Sequence, residues 1–164
     1  MKADPVIIYE AAAVRDSAGV DARPGAIAVD AVSRRILAVG PPDSVQRRLR
    51  RHRGEVSRKA LPDRLILPAM VNAHAHMDLT TLGPEPYTGD FTDWIAKVTA
   101  YRRSDERTDA AAVRRGLRMS WQAGVGWLGD IAFDPVAVTA RIGWPHNDPE
   151  APDHATPMPG VSYL

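Results

Sequence analysis

The sequence predicts an α/β protein: a small β-rich sheet or sandwich, then strand, two helices and strand, an order that suits a parallel sheet with crossover helices. Three observations predict it. Short β-rich runs separated by turns fill the first 67 residues, two amphipathic stripes at helical spacing occupy 91–103 and 108–124, and an apolar strand stands on either side of those helices.

The totals bound the reading. The chain has 164 residues, 45% hydrophobic and 25% charged, which suits a soluble globular domain with its own core. A net charge of +1 gives no global argument for a nucleic-acid or membrane partner. Cysteine is absent, so disulfides and thiolate metal sites are excluded. A transition metal would have to be held by His and carboxylate side chains. The opening "MKADPVIIYEAAAV" is too short and too broken by Tyr9 and Glu10 for a signal peptide, and no run reaches the length of a membrane span. The expectation is a cytoplasmic protein.

Along the chain, "PVIIYEAAAV", "GAIAVDA" and "RRILAVG" read as strands, the last stopped by Gly40, Pro41 and Pro42. In "DSVQRRLRRHRGEVSRK", Asp43 or Ser44 is the candidate cap of a short helix. Its arginines 47, 48, 50, 51 and 53 carry no interleaved aromatics, so they read as a solvated helix face rather than a nucleic-acid patch. "RLILPAMVNAH" is a pair of apolar strands divided by Pro68, because proline cannot sit inside a central ladder. Residues 65–67 finish the small sheet and residues 69–73 begin a new, buried strand.

"TTLGPEPYTGD" is then a loop, and Thr92 is the candidate N-cap of a helix whose Trp94, Ile95, Val98 and Tyr101 share a face. Thr108 or Asp109 caps the next helix, Val113, Leu117 and Trp121 form its stripe, and Gly124 stops it. The tryptophans read as core packing. "VGWLGDIA" is a second buried strand ending near Asp130, "FDPVAVTARIG" a short helix, "WPHNDPEAPDHATPMPG" a loop and "GVSYL" the beginning of another strand. The domain reading is a β-rich segment over 1–67 and barrel-type strands and helices over 68–164.

The chemistry concentrates at "LILPAMVNAHAHMDLT". Side chains two apart on a strand share a face, so His74 and His76 can converge on one ion, with Asp78 next along the same direction. Read by themselves they fit a metal pair or two hydrogen-bonded imidazoles. Their place between an apolar strand and a long loop favours function, since α/β barrels collect their functional groups at the C-terminal ends of strands.

The same stretch resembles the signature of the amidohydrolase superfamily, Pro-Gly-apolar-Val-Asn-x-His-x-His, with Ala69 in place of the usual Gly. "PGAIAVD", "RRILAVG", "FTDW" and "AGVGWLGDI" agree with that family over about residues 20–134, and most resemble its cytosine deaminase, chlorohydrolase and aminodeoxyfutalosine deaminase branch. The resemblance implies the start of a TIM-like (β/α)8 barrel preceded by part of a small β-sandwich. It also implies a divalent metal, zinc before iron, held in part by His74 and His76. The implied activity is a metal-activated hydrolysis of carbon–nitrogen bonds of a small molecule, a deamination of a nucleoside-like or purine- or pyrimidine-like compound, by a protein that can form homo-oligomers at full length. Cyclic-amide hydrolysis and a non-catalytic module are the alternatives. Asp78 is a candidate for facing substrate, steadying the ligands or stabilising a turn, and Asp130 for lining the pocket or capping a loop.

A closed barrel needs roughly 200 to 250 residues, and the stretch after Met70 suffices for two strands and the start of a third. His52, His146 and His154 do not match the positions of the family's later ligands, and its acid/base Glu and final Asp have no counterpart. The expectation is therefore the N-terminal part of a hydrolase, inactive alone.

Overall fold

The structure is a computed structural model that describes residues 4–86, 89–104 and 109–163. It is mixed α/β, and the chain divides into two compact units, Met1–Pro68 and Ala69–Leu164.

The first unit is one five-stranded sheet with a short helix. Strand β1 (Val6–Arg15) pairs antiparallel with β2 (Asp21–Ala22) and β3 (Gly25–Asp30), and β3 pairs antiparallel with β4 (Ile36–Gly40). The other edge of β1 takes β5 (Val56–Ile66) in parallel. Period-2 alternation sorts the faces. Val6, Ile8, Ala26, Ala28 and Ala38 form a core closed by Val45 of helix α1 (Pro42–Arg48). The small alanines let the helix lie close to the strands. Ile27, Ile36, Val39 and Ile66 instead border an apolar cleft. Within this unit the described residues form no second sheet of the kind a sandwich requires.

One expectation fails here, and one strand was not foreseen. Neither Asp43 nor Ser44 caps α1: the N-cap is Pro41, without a side-chain hydrogen bond, and Pro42 opens the first turn with a backbone angle already suited to a helix. Residues 56–59, the end of the stretch "DSVQRRLRRHRGEVSRK" in which a short helix is expected, belong to β5. Its Pro62 and many charges hid the strand. The structure absorbs Pro62 in a bulge, the register stepping from Ala11↔Leu61 to Ala13↔Leu65, and β5 pairs with β1 alone.

In the second unit, β6 (Met70–Ala75), β7 (Val125–Ile131) and β8 (Gly160–Tyr163) form a parallel sheet with β7 in the middle. Between β6 and β7 run α2 (Phe91–Arg103) and α3 (Asp109–Gln122), and α4 (Pro135–Gly143) leads on toward β8. The core joins Leu128 of β7 to Val113 and Leu117 of α3, Ala137 and Ala140 of α4, and Trp144. Each large apolar side chain buried there contributes roughly 1.5–3 kcal/mol. Gly129 permits the close approach of β6 to β7, since a Cβ on it would meet the Ala73 carbonyl oxygen at 2.5 Å.

Asp148 ties the segment after α4 to α3. Both its oxygens accept from Arg118 Nη1 at 2.7 Å, and Trp144 Nε1 donates to it at 3.0 Å. Burial alone would raise the Asp148 carboxyl, but the hydrogen bonds from Arg118, the Glu150 amide and Trp144 hold it below the usual carboxylate range.

The Val113–Leu117 stripe is buried as expected, and Gly124 follows α3 with φ +82°. The cap placed at Thr108 lies outside the described residues. Thr92 is not the cap of α2: Asp90 is, its carboxylate accepting from the Thr92 amide, because Asp accepts better and sits two residues earlier. The strand expected to be buried at 69–73 is largely exposed, with Met70 and Val71 56% and 67% accessible, and among the described residues it is an edge strand paired with β7. No helix among the described residues is long and apolar enough to cross a membrane.

Candidate metal centre

Strand β6 delivers the two histidines to its C-terminal end. The backbone stays extended through His76 (φ −131°, ψ 82°) and then turns into a single 3-10 turn, Met77–Leu79. The imidazoles of His74 and His76 stand edge to face with centroids 5.2 Å apart. The pairing of β6 with β7 steps from Asn72↔Leu128 to Ala75↔Asp130, so one extra residue is accommodated between Asn72 and Ala75, the stretch that holds His74. Such bulges re-aim side chains beside functional sites. The His74 amide, taken out of the regular ladder, donates to Asn72 Oδ1 at 3.2 Å.

The two rings differ in what holds them. His76 Nδ1 lies 3.1 Å from the carbonyl oxygen of Ile131, at the end of β7. A carbonyl only accepts, so Nδ1 carries a proton in this bond, and in the neutral imidazole Nε2 then keeps its lone pair. This is the arrangement by which proteins orient a metal-binding imidazole. Arg102 Nη2 approaches the same Nδ1 at 3.5 Å, too long to compete with that bond. His74 is exposed.

Two buried carboxylates brace the turn below. Asp130 Oδ1 accepts from the Met77 amide at 3.0 Å, and Asp78 Oδ2 accepts from Arg102 Nε at 3.0 Å. Asp130 is fully buried and Asp78 is 2% exposed, while one oxygen of each, Asp130 Oδ2 and Asp78 Oδ1, has no hydrogen-bond partner among the described residues. Burial pushes the Asp130 carboxyl up, the Met77 amide opposes it, and the negative charge of Asp78 adds to the rise.

Beside the imidazoles opens a cleft of about 400 Å³, lined by His74, His76, Leu79, Phe91, Trp94, Ile95, Val98 and Arg102. Phe91 and Trp94 stack at 5.9 Å, making one wall aromatic. Thus the sequence-derived candidates separate: His74 and His76 face the cleft, whereas Asp78 and Asp130 are not among its lining and hold the turn. Trp94, expected in the core, is a cleft wall; Trp121 packs on the core with its ring 4.9 Å from His154. Phe91 and Arg102 were not singled out from sequence. The signal was there, since positions 91, 94, 95, 98 and 102 follow helical spacing and give one continuous face.

The donor set fits a zinc-type ion as part of a shell: two imidazoles at one strand end, one with its nitrogen fixed by a backbone carbonyl. Among the described residues no third His, Asp or Glu joins them in a cluster able to hold a metal.

No protein-family model and no curated protein sequence matches the chain. Solved structures do, and the likeness is one of fold. An adenosine deaminase from Xanthomonas campestris with bound zinc matches with a TM-score of 0.62 and 19% identity, over 84% of this chain and 32% of that one. A variant of the atrazine chlorohydrolase of Arthrobacter aurescens, complexed with zinc and atraton, matches with a TM-score of 0.60 and 18% identity, over 82% and 32% of the two chains. A triazine hydrolase matches with a TM-score of 0.59 and 19% identity, again over 82% and 32%. The chain therefore spans about a third of the length of the solved structures it matches.

Proposed function

We propose that this chain forms the opening of a metal-dependent hydrolase of the amidohydrolase type, with the small sheet as part of a sandwich and β6, β7 and β8 as the first strands of a TIM-like barrel. His74 and His76 are two of the metal's ligands. The observation that carries the reading is the His76 ring, held by the Ile131 carbonyl so that Nε2 is available beside His74. Zinc, when bound, would lower the pKa of a water and so supply a nucleophile near neutral pH.

The chain's own residues prepare the rest. Asp130 fixes the Met77 amide and thereby the angle at which the chain leaves His76. Asp78, joined to Arg102, brings α2 against the turn. Leu79, Phe91, Trp94, Ile95 and Val98 line one side of the cleft and offer an apolar surface with a stacked aromatic pair. Such a surface suits a planar heterocycle better than a sugar or a peptide. The reaction proposed is hydrolytic deamination of a purine-, pyrimidine- or nucleoside-like compound in the cytoplasm, completed by residues beyond those of this chain.

The test is to read the coding DNA past Leu164, express whatever it encodes, and assay ammonia release from aminated purines, pyrimidines and their nucleosides. Further strands bearing His, His and Asp, with ammonia release lost in His74→Ala, are expected. An immediate stop codon would leave this product a non-catalytic module. Ring opening of cyclic amides without ammonia release would move the activity to the cyclic-amide branch.

A further inference from the structure

Arg102 makes contacts that neither the candidate ligands nor the cleft wall requires. It stands in the last turn of α2, with its side chain 20% exposed, and its Nε donates to the buried Asp78 at 3.0 Å. Its guanidinium lies over the ring of Phe133, 4.9 Å from the centroid. Its Nη2 lies 3.5 Å from His76 Nδ1. One side chain thus touches the turn after His76 and the segment after β7, two residues past the carbonyl that orients the ring, while its Nη2, a donor beside the Nδ1–H, makes only a packing contact with that ring.

Two more contacts join the same stretch to α2: Thr81 to Tyr101, and Glu85 to Lys97 at 2.9 Å. Both are exposed, where ion pairs and hydrogen bonds hold little. The Asp78–Arg102 pair is partly buried with the carboxylate itself enclosed, and a buried carboxylate left without its cation is strongly unfavourable, so this pair fixes the geometry. A planar fork stacked on an aromatic ring also has less freedom to lose than an ammonium on a flexible stem.

We infer that Arg102 is a positioning residue: by locking Asp78 and stacking on Phe133, it holds the His76 imidazole in the one orientation that gives Nδ1–H to Ile131 and leaves Nε2 toward the cleft. The inference rests on the metal-site reading above for its purpose. Its structural content, an ordered His76 ring dependent on Arg102, holds without a metal.

The experiment is histidine-ring ¹⁵N NMR of the full chain without metal, then cobalt(II) titration read by its d–d bands. Four proteins are compared: native, Arg102→Ala, Arg102→Lys and Arg118→Ala. The native His76 ring is expected as a single Nδ1–H tautomer. Arg102→Ala should give mixed tautomers or exchange-broadened His76 signals, with cobalt affinity lower by roughly 10- to 100-fold, the usual loss when a ligand's orienting partner is removed. Arg102→Lys should fall between, keeping the charge on Asp78 but not the stack. Arg118→Ala, which breaks a different partly buried pair on α3, should leave the ring signals native even if it unfolds more readily.

A native-like His76 ring in Arg102→Ala overturns the inference, as does an equal disturbance in Arg118→Ala. Should native protein bind no cobalt while the ring still follows Arg102, the metal reading fails and the positioning role stands.

Discussion

The Nδ1 of His76 donates to the carbonyl oxygen of Ile131 across 3.1 Å, joining the end of the first parallel strand to the end of the second. A side chain and a backbone group 55 residues apart thereby settle which imidazole nitrogen is left for a ligand. The site's other groups depend on the same strand ends, with Asp130 holding the Met77 amide and Asp78 holding Arg102.

Replacing Asp130 by Ala should leave the buried Met77 amide without its acceptor and cost about 1–3 kcal/mol in urea unfolding. Asp130→Asn should cost less, since it keeps an oxygen there. The pH dependence is specific. Burial raises the folded pKa of Asp130, so its contribution is present below the ordinary carboxyl value and is lost as the pH rises through the raised one. The deficit of Asp130→Asn against native should therefore shrink as the pH rises above about 4. A deficit that grows with pH would contradict this.

Asp148 should show the opposite sign. Its folded pKa is lowered by Arg118, the Glu150 amide and Trp144 against the effect of burial, so its stabilisation is present above the unfolded value and lost as the pH falls through the folded one. Asp148→Asn should flatten the acid limb of the stability curve below about pH 4. Arg118→Ala, which leaves the carboxylate buried and unpaired, should cost on the order of 3 kcal/mol at neutral pH. An unchanged acid limb in Asp148→Asn would show the pair to be inert.

The tryptophans should separate by what they touch. Trp121 packs on the core and on His154, so Trp121→Ala should cost about 2–4 kcal/mol in thermal or denaturant unfolding. Trp94 is 36% exposed on the cleft wall beside Phe91, and Trp94→Ala should cost under about 1 kcal/mol. It should instead weaken binding of planar heterocycles. Equal losses of stability would place Trp94 in the core after all.

How far the sequence reached can be seen at particular residues. The strands "VIIYEAAAV", "GAIAVD" and "VGWLGDI" were legible because alternation, β-branched residues and flanking turns agreed. The Val113–Leu117 stripe was legible because helical spacing and a glycine just past the helix agreed. β5 was not, because Pro62 and the charged Arg58, Lys59, Asp63 and Arg64 suppress the strand signal, and only pairing with β1 supplies the ladder. At the site, strand alternation brought out His74 and His76 as a pair. Asp78 and Asp130 were visible as residues but not as braces, since that role depends on an amide and a guanidinium that folding brings near. Arg102 stayed hidden because an arginine ending a helix reads as dipole compensation until Asp78 is seen beneath it.

The most direct test of the central claim is zinc binding to the full chain by isothermal titration calorimetry, repeated with His74→Ala, His76→Ala and His154→Ala. Saturable binding of one ion per chain is expected, weakened at least about 10-fold by either of the first two substitutions and unchanged by the third. Binding that survives the loss of both His74 and His76 at undiminished affinity would contradict it.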